Sequence, residues 1–279
     1  MLRPYAEGWR AISAPERYLH LRGFKIRHFG ASFGDAAPVG LYRIVMKAAP
    51  WSVMLLFIAS LALNLWFAGV PDWRWIPAAF LGWYVADLFS GLTHMVMDYR
   101  PCTPGIGLDR MFHYAGSRES DDYLALRDQV LPRITAFERL VYDFKNHHPR
   151  PDALGRRPFL VQIGSTILFV SLPVSLFLNL LCLALKVPGP LIAGAIVLTI
   201  GGTLAQYFHG TLHRAENPWI VRMMRRVGLL MSPEAHAIHH ATLRQDFATN
   251  NGWSNPLVNV VFRFAINRKW LDEAGLEPR

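Results

Sequence analysis

Apolar residues fall in long unbroken blocks along this chain, not in the short alternations of an amphipathic soluble domain. Four blocks, at about 51–70, 75–97, 159–185 and 190–210, are long enough to cross the roughly 30 Å hydrocarbon core of a bilayer as helices. The third carries Pro173, which predicts a kink, and the second is interrupted by Asp87, Gly91 and His94. Very short joints, around Pro71-Asp72 and from Lys186 to Gly189, make the first two and the last two blocks into helical hairpins. The three remaining stretches must then lie on one side of the membrane. Within the central one, Ile134, Phe137, Leu140, Val141 and Phe144 form an apolar stripe at helical spacing. That stripe predicts a packed helix ending at Asn146-His147-His148-Pro149, where the proline discourages continuation. Ser232-Pro233-Glu234 reads as a helix start, with an N-cap serine, a first-turn proline and a first-turn acid.

The pattern predicts an all-α, polytopic membrane protein with four transmembrane helices and a cytoplasmic, helical, histidine-rich cap. Residues 1–50 are expected to be a cytoplasmic N-terminal segment without a signal-peptide pattern, 51–259 the membrane-embedded domain, and 260–279 a C-terminal tail.

Composition agrees. Of 279 residues 52% are hydrophobic, and the mean hydropathy is +0.19. The net charge is +9, and the basic residues concentrate on one side: of 29 Lys and Arg, 8 lie in 1–50, 10 in 98–158 and 9 in 214–279, leaving only Arg74 and Lys186 for the other. By the positive-inside rule both termini and the central loop face the cytoplasm. Topology accounts for the charge, and no nucleic-acid role is expected. Arginine outnumbers lysine, which points to a GC-rich bacterial genome and an inner membrane. Cys102 and Cys182 form neither a disulfide framework nor a thiolate metal site.

Eight of the eleven histidines fall on that same side, or within about a turn of it. Asp87, Gly91, His94 and Asp98, at i, i+4, i+7 and i+11, share one helix face, as do Gln206, His209 and His213. His236, His239 and His240 sit at i, i+3 and i+4, and His147-His148 form a pair. Imidazoles on adjacent turns bind one metal ion together, and eight of them suit two ions. Alone, His94 or His213 would be an ordinary interfacial side chain; jointly the pattern reads as metal binding. Asp87 is expected to orient an imidazole, His113 is ambiguous, and His20 and His28 are expected at the surface.

With these residues in view the chain resembles the Kua-type lipid desaturase family, which includes the plasmanylethanolamine desaturases, CarF-type bacterial members and the plastid fatty acid desaturase 4 group. The resemblance runs from about Asp87 to Asn259. It rests on Asp87-x3-Gly91-x2-His94-x3-Asp98, His147-His148, Gln206-x2-His209-x3-His213, and His236-x2-His239-His240, followed by Asn251-Gly252-Trp253-Ser254-Asn255. It implies a mostly helical enzyme with two iron ions held by His94, His147, His148, His209, His213, His236, His239 and His240, with Asp98 at the family's acidic position. Gln206, Asn251 and Asn255 would support them. Two departures stand out. Arg157 occupies the place of a further family histidine, so that either His113 or water would complete the set or this member's chemistry is altered, and Met95 replaces a frequent tryptophan.

The implied reaction consumes O2 as co-substrate and desaturates a membrane phospholipid near its headgroup, with an ether lipid preferred as the route to plasmalogens. Basic residues such as Arg100, Arg214 or Arg244 could hold a phosphate, although each alone would more often be a plain interfacial arginine. The sequence carries no haem or flavin motif, so electrons would come from a separate donor of cytochrome b5 or ferredoxin type. A fatty acyl desaturase or hydroxylase is the alternative of the same chemistry, and a divalent-metal transporter the alternative of another class. No H-E-x-x-H protease motif occurs.

Overall fold

The computed structural model describes residues 39–279, with side chains from Trp51 onward. Its helices are α1 Val39–Ala68, α2 Trp75–Tyr99, α3 Leu108–Phe112, α4 Asp121–Val130, α5 Ala136–His147, α6 Pro151–Gly155, α7 Phe159–Thr166, α8 Leu172–Ala184, α9 Gly189–Leu212, α10 Trp219–Arg226, α11 Pro233–Thr242 and α12 Asn255–Asn267. No β-strand occurs among the described residues. Residues 49–279 form one unit, to which the contacts below belong. His20 and His28 lie outside the described residues.

Three helices are long and apolar enough to cross a membrane: Trp51–Ala68, Phe159–Ala184 and Gly189–Leu212. The expected fourth, α2, matches them in length at 25 residues, but its Asp87, Thr93, His94 and Asp98 lower its hydropathy. Its polar face is covered by protein: Asp87, His94 and Asp98 are buried. The kink expected at Pro173 appears as a π-turn at Ile167–Ser171, between α7 and α8, with the proline in the first turn that follows.

The helix α2 packs along α9 through small residues. A Cβ on Gly194 would come within 2.9 Å of the Ala78 carbonyl, one on Gly201 within 2.7 Å of the Ala86 Cβ, and one on Gly82 would overlap the Gly194 carbonyl. Residue numbers rise together at these contacts, so the two helices run parallel. Small-residue contact is the way helices approach closely where lipid removes the hydrophobic drive. The helices α1 and α8 are joined by polar side chains instead. Ser60 Oγ lies 2.7 Å from Ser175 Oγ, Asn64 Nδ2 donates to Ser175 Oγ at 2.7 Å, and Asn179 Nδ2 donates to Ser60 Oγ at 2.9 Å.

Above the C-terminal end of α2, helices α3, α4 and α5 bury Met97, Leu108, Met111, Val130, Val141 and Tyr142 in a small core. On its other flank α12 buries Val258 and Phe262 against Met95 and Tyr99. The boundary expected at 259 falls inside α12, whose Phe262 and Ala265 are buried beyond it. The predicted α5 stripe is only half packed. Val141 is buried, but Phe137 and Leu140 remain 48% and 42% exposed.

Candidate metal centre

Four helix ends deliver the histidines to one place. The parallel register of α2 and α9 brings His94 and His209 to the same level, with ring centroids 4.8 Å apart. Thr135 caps α5 by accepting from the Glu138 N–H at 3.1 Å, and the helix ends on His147 with His148 as its C-cap. As its sequence predicts, α11 starts at Ser232, whose Oγ accepts from the Ala235 N–H. Its far end is closed by Leu243 at φ 54°, with the Leu243 carbonyl accepting from Tyr99 Oη at 2.8 Å.

The nine residues expected around metal fall into two adjacent groups. His147, His209, His213, His236 and His240 form one, and His94, Asp98, His148 and His239 the other, with the ligand atoms of each within 4.8 Å of one another. Backbone carbonyls orient several rings. Nδ1 of His94 donates to Phe247 O and Nδ1 of His239 to Gln245 O, each at 2.9 Å, and Nδ1 of His147 meets Phe144 O. A neutral imidazole that donates from Nδ1 carries a lone pair on Nε2. The Nε2 atoms of the cluster converge. His236 Nε2 lies 3.1 Å from Nε2 of both His209 and His240, and His239 Nε2 lies 3.4 Å from His148 Nε2. Asp98 Oδ2 lies 3.3 Å from Nε2 of His94 and of His239, and 3.5 Å from that of His148.

Nε2 of His94, His147 and His213 and both Asp98 oxygens are buried without a hydrogen-bond partner. Acceptors packed against acceptors in a dry interior are costly unless a cation lies between them. The donor set therefore fits metal ions: eight nitrogens and one carboxylate, a combination suited to iron and unlike a structural zinc site. Outside the spans, burial and neighbouring imidazoles hold the rings neutral, as ligation requires. His213 is pushed down to about 4 and His240 to about 2, with His147 and His236 well below the usual value.

The lipid desaturase domain family matches residues 132–279, more than half of the chain. This chain belongs to the lipid desaturase family. A protein of Myxococcus xanthus named plasmanylethanolamine desaturase is 26% identical over 252 residues, covering 85% of this chain and 76% of that protein. No solved structure matches. With its three apolar helices, the protein is a multi-pass membrane protein of the desaturase class.

Within this desaturase, the residues expected near the metals take varied places. Asp87 does not reach an imidazole. Its Oδ1 accepts from the N–H groups of Asn250, Asn251 and Gly252 at 2.9–3.1 Å, and its Oδ2 from the N–H and Oγ of Ser254 at 3.0 and 2.6 Å. Asp87 thus clamps the segment whose neighbouring carbonyls, Gln245 and Phe247, orient His239 and His94. Asn251 and Asn255 shape the same segment: their side-chain oxygens accept from the Trp253 and Ala248 N–H groups at 2.8 Å. Gln206 is half-buried and belongs to neither group. His113 is exposed in the cap, 3.9 Å from Glu277, and is not brought to the centre. Arg157, in the place of the family histidine, pairs with Asp143 at 3.3 Å.

Lys145 had no role in the sequence reading, yet its side chain is fully buried. Its Nζ donates to Met97 O at 3.1 Å and to Asp98 O, at the negative end of α2. Burial pushes its amine down to about 8. The legible signal was its place four residues after Val141, on the packed face of α5.

Proposed function

We propose that the chain is a di-iron, O2-dependent desaturase that forms the vinyl ether bond of an ether phospholipid. The observation that carries this reading is the pair of convergent ligand groups, five histidines beside three histidines and Asp98. The matching relative's name adds the ether lipid. In this reading α2 is the fourth span, both termini and the cap are cytoplasmic, and the protein lies in a bacterial inner membrane.

His147, His209, His213, His236 and His240 would hold one iron, and His94, His148, His239 and Asp98 the other. When bound, the two ions supply the dioxygen chemistry that removes hydrogen from an unactivated methylene. Overall, two hydrogens leave adjacent carbons, an alkene forms, and O2 becomes water. The substrate gives half of the electrons and a separate donor protein the other half. The chain's own work is placement. Phe247 and Gln245 carbonyls fix ring tautomers, Asp98 supplies the lone carboxylate among the ligands, and aromatic walls exclude water. Phe144 stands 5.4 Å from the His94 ring and Phe247 4.8 Å from the His239 ring. Neighbouring methylenes are chemically alike, so position selects the bond that reacts.

A metal transporter would place ionisable groups near the bilayer midplane, along a path. Asp87, at the middle of α2, is fully engaged by four backbone amides and the Ser254 hydroxyl, which weighs against that reading.

The test is lipid mass spectrometry of a host that makes plasmanyl lipids and expresses the intact chain or His239→Ala. The expected result is an acid-labile loss of two hydrogens from ether lipids with the intact chain alone. An acyl double bond or a hydroxyl would overturn the ether assignment, and unchanged lipids the enzymatic one.

A further inference from the structure

Resting on the desaturase reading, the geometry points to a seat for a zwitterionic phospholipid headgroup between the end of α2 and the start of α5, with Arg100 taking the phosphate and Glu138 the ammonium. A cavity of about 240 Å³ is lined there by Arg100, Thr103, Thr135, Phe137, Glu138 and Val141. It holds one cation and one anion of the protein, which do not pair with each other: no carboxylate lies within ion-pair reach of Arg100 among the described residues. The Arg100 guanidinium lies over the Phe137 ring, 5.1 Å from its centroid, which holds it toward the cavity. Glu138 Oε1 accepts from the Thr103 N–H at 2.7 Å, which fixes the carboxylate and leaves its second oxygen for a ligand.

An apolar track connects this cavity to the metal ligands. Phe137, Leu140 and Phe144 follow one another along one side of α5, and Val96 is exposed on α2. Phe137 lines the cavity and Phe144 packs edge-on against His94. Exposed side chains of this size, one turn apart and beside a buried ligand set, call for an apolar occupant, here the lipid chain. Depth agrees. Arg100 stands six residues beyond His94, about 9 Å farther along the helix axis toward the cytoplasm. With its phosphate at Arg100, a glycerophospholipid would place the first carbons of a chain, across the glycerol, at the level of His94. The other two arginines are less suited. Arg244 is paired with Glu273 at 2.5 Å, and Arg214 is committed to Gly155 O and the Tyr207 ring.

The test uses the full chain in nanodiscs containing equal parts of 1-O-alkyl-2-acyl phosphatidylethanolamine and the phosphatidylglycerol of the same chains. Retained lipid is counted by native mass spectrometry, and initial rates on each lipid are measured in parallel on iron-loaded protein with O2 and a reduced electron donor supplied. The wild type is expected to retain the ethanolamine lipid preferentially. Glu138→Gln keeps the acceptor for Thr103 but loses the charge, and should abolish that preference. Arg100→Gln should weaken retention of both lipids and raise KM about tenfold, the size of one charge-assisted hydrogen bond, with little change in kcat. Arg100→Lys, which keeps the charge, should restore most of the loss and replaces the Gln variant if that does not fold. Equal retention of the two lipids by the wild type, or a preference untouched by Glu138→Gln, overturns the seat. If retention follows expectation while no lipid is desaturated, the enzymatic reading fails and the seat stands. If desaturation proceeds with KM unchanged in both variants, the seat fails and the enzymatic reading stands.

Discussion

His94 and His209 face each other at 4.8 Å between ring centroids because α2 and α9 run parallel in fixed register, held by Gly82, Gly194 and Gly201. The contacts Ala78–Gly194, Ala86–Gly201 and His94–His209 keep a nearly constant offset in sequence, so glycines deep in the pair set the level of ligands at its end. Gly82→Ala puts a methyl into the Gly194 carbonyl, which backbone cannot yield cheaply. The expected cost is about 1–3 kcal/mol of overpacking, with weaker iron retention although the residue lies three turns from any ligand. Thermal unfolding and metal analysis of the purified variant check this; unchanged iron would show that the register does not govern the centre.

The two ligand groups predict separable losses. Asp98→Asn removes the carboxylate facing His94, His148 and His239, and His240→Ala removes a member of the five-histidine group. Each variant should lose half of the bound iron, and the double variant nearly all of it. Metal counting on purified protein decides. Iron that disappears entirely in either single variant would mean one shared site instead of two.

Asp87→Asn tests the clamp. The carboxylate accepts five hydrogen bonds, and an amide nitrogen in place of one oxygen would confront donors with donors. A loss of about 3 kcal/mol or more is expected, since charged acceptors in the interior contribute strongly and buried donors left unpaired add to the cost. Hydrogen exchange should accelerate at residues 250–254 before it does elsewhere. Amides that stay protected there would contradict the clamp.

The gathering of the histidines was legible because a 100° step places each set on one helix face, and the charge asymmetry led every set to be expected on one side of the membrane. The same step put Asp87 on the His94 face and could not say at which level it acts. Asp98 is one turn beyond His94, among the imidazoles, whereas Asp87 is two turns short of it and meets a loop 163 residues away in sequence, at Asn250. Nothing local announces such a partner. Length alone offered α2 as a fourth span, but only three helices among the described residues are apolar enough to cross a membrane, and the polarity that lowers the hydropathy of α2 is turned inward, onto protein. The α5 stripe was read as wholly packed, but spacing alone does not tell protein contact from lipid contact, and Phe137 and Leu140 are left facing outward.

Lys145 ties the two helices that contribute most directly to the second ligand group. Its Nζ donates to the Met97 and Asp98 carbonyls, so the C-terminal end of α2 and the last turn of α5 are fastened two residues before His147. A buried ammonium is tolerated there because it answers carbonyls left without intrahelical partners and the negative end of the helix dipole. Lys145→Met keeps the volume and removes the donors. The protein should lose about 2–6 kcal/mol of stability, at about 1–3 kcal/mol for each of two buried carbonyls left without a partner. Because Asp98 and His148 are the ligands on either side of the broken tie, iron should be lost first from the group of His94, Asp98, His148 and His239. Chelator titration of the variant, followed by metal counting, checks the order. A variant that melts earlier but releases both ions together would make Lys145 a support of the fold alone, without influence on where the ligands stand.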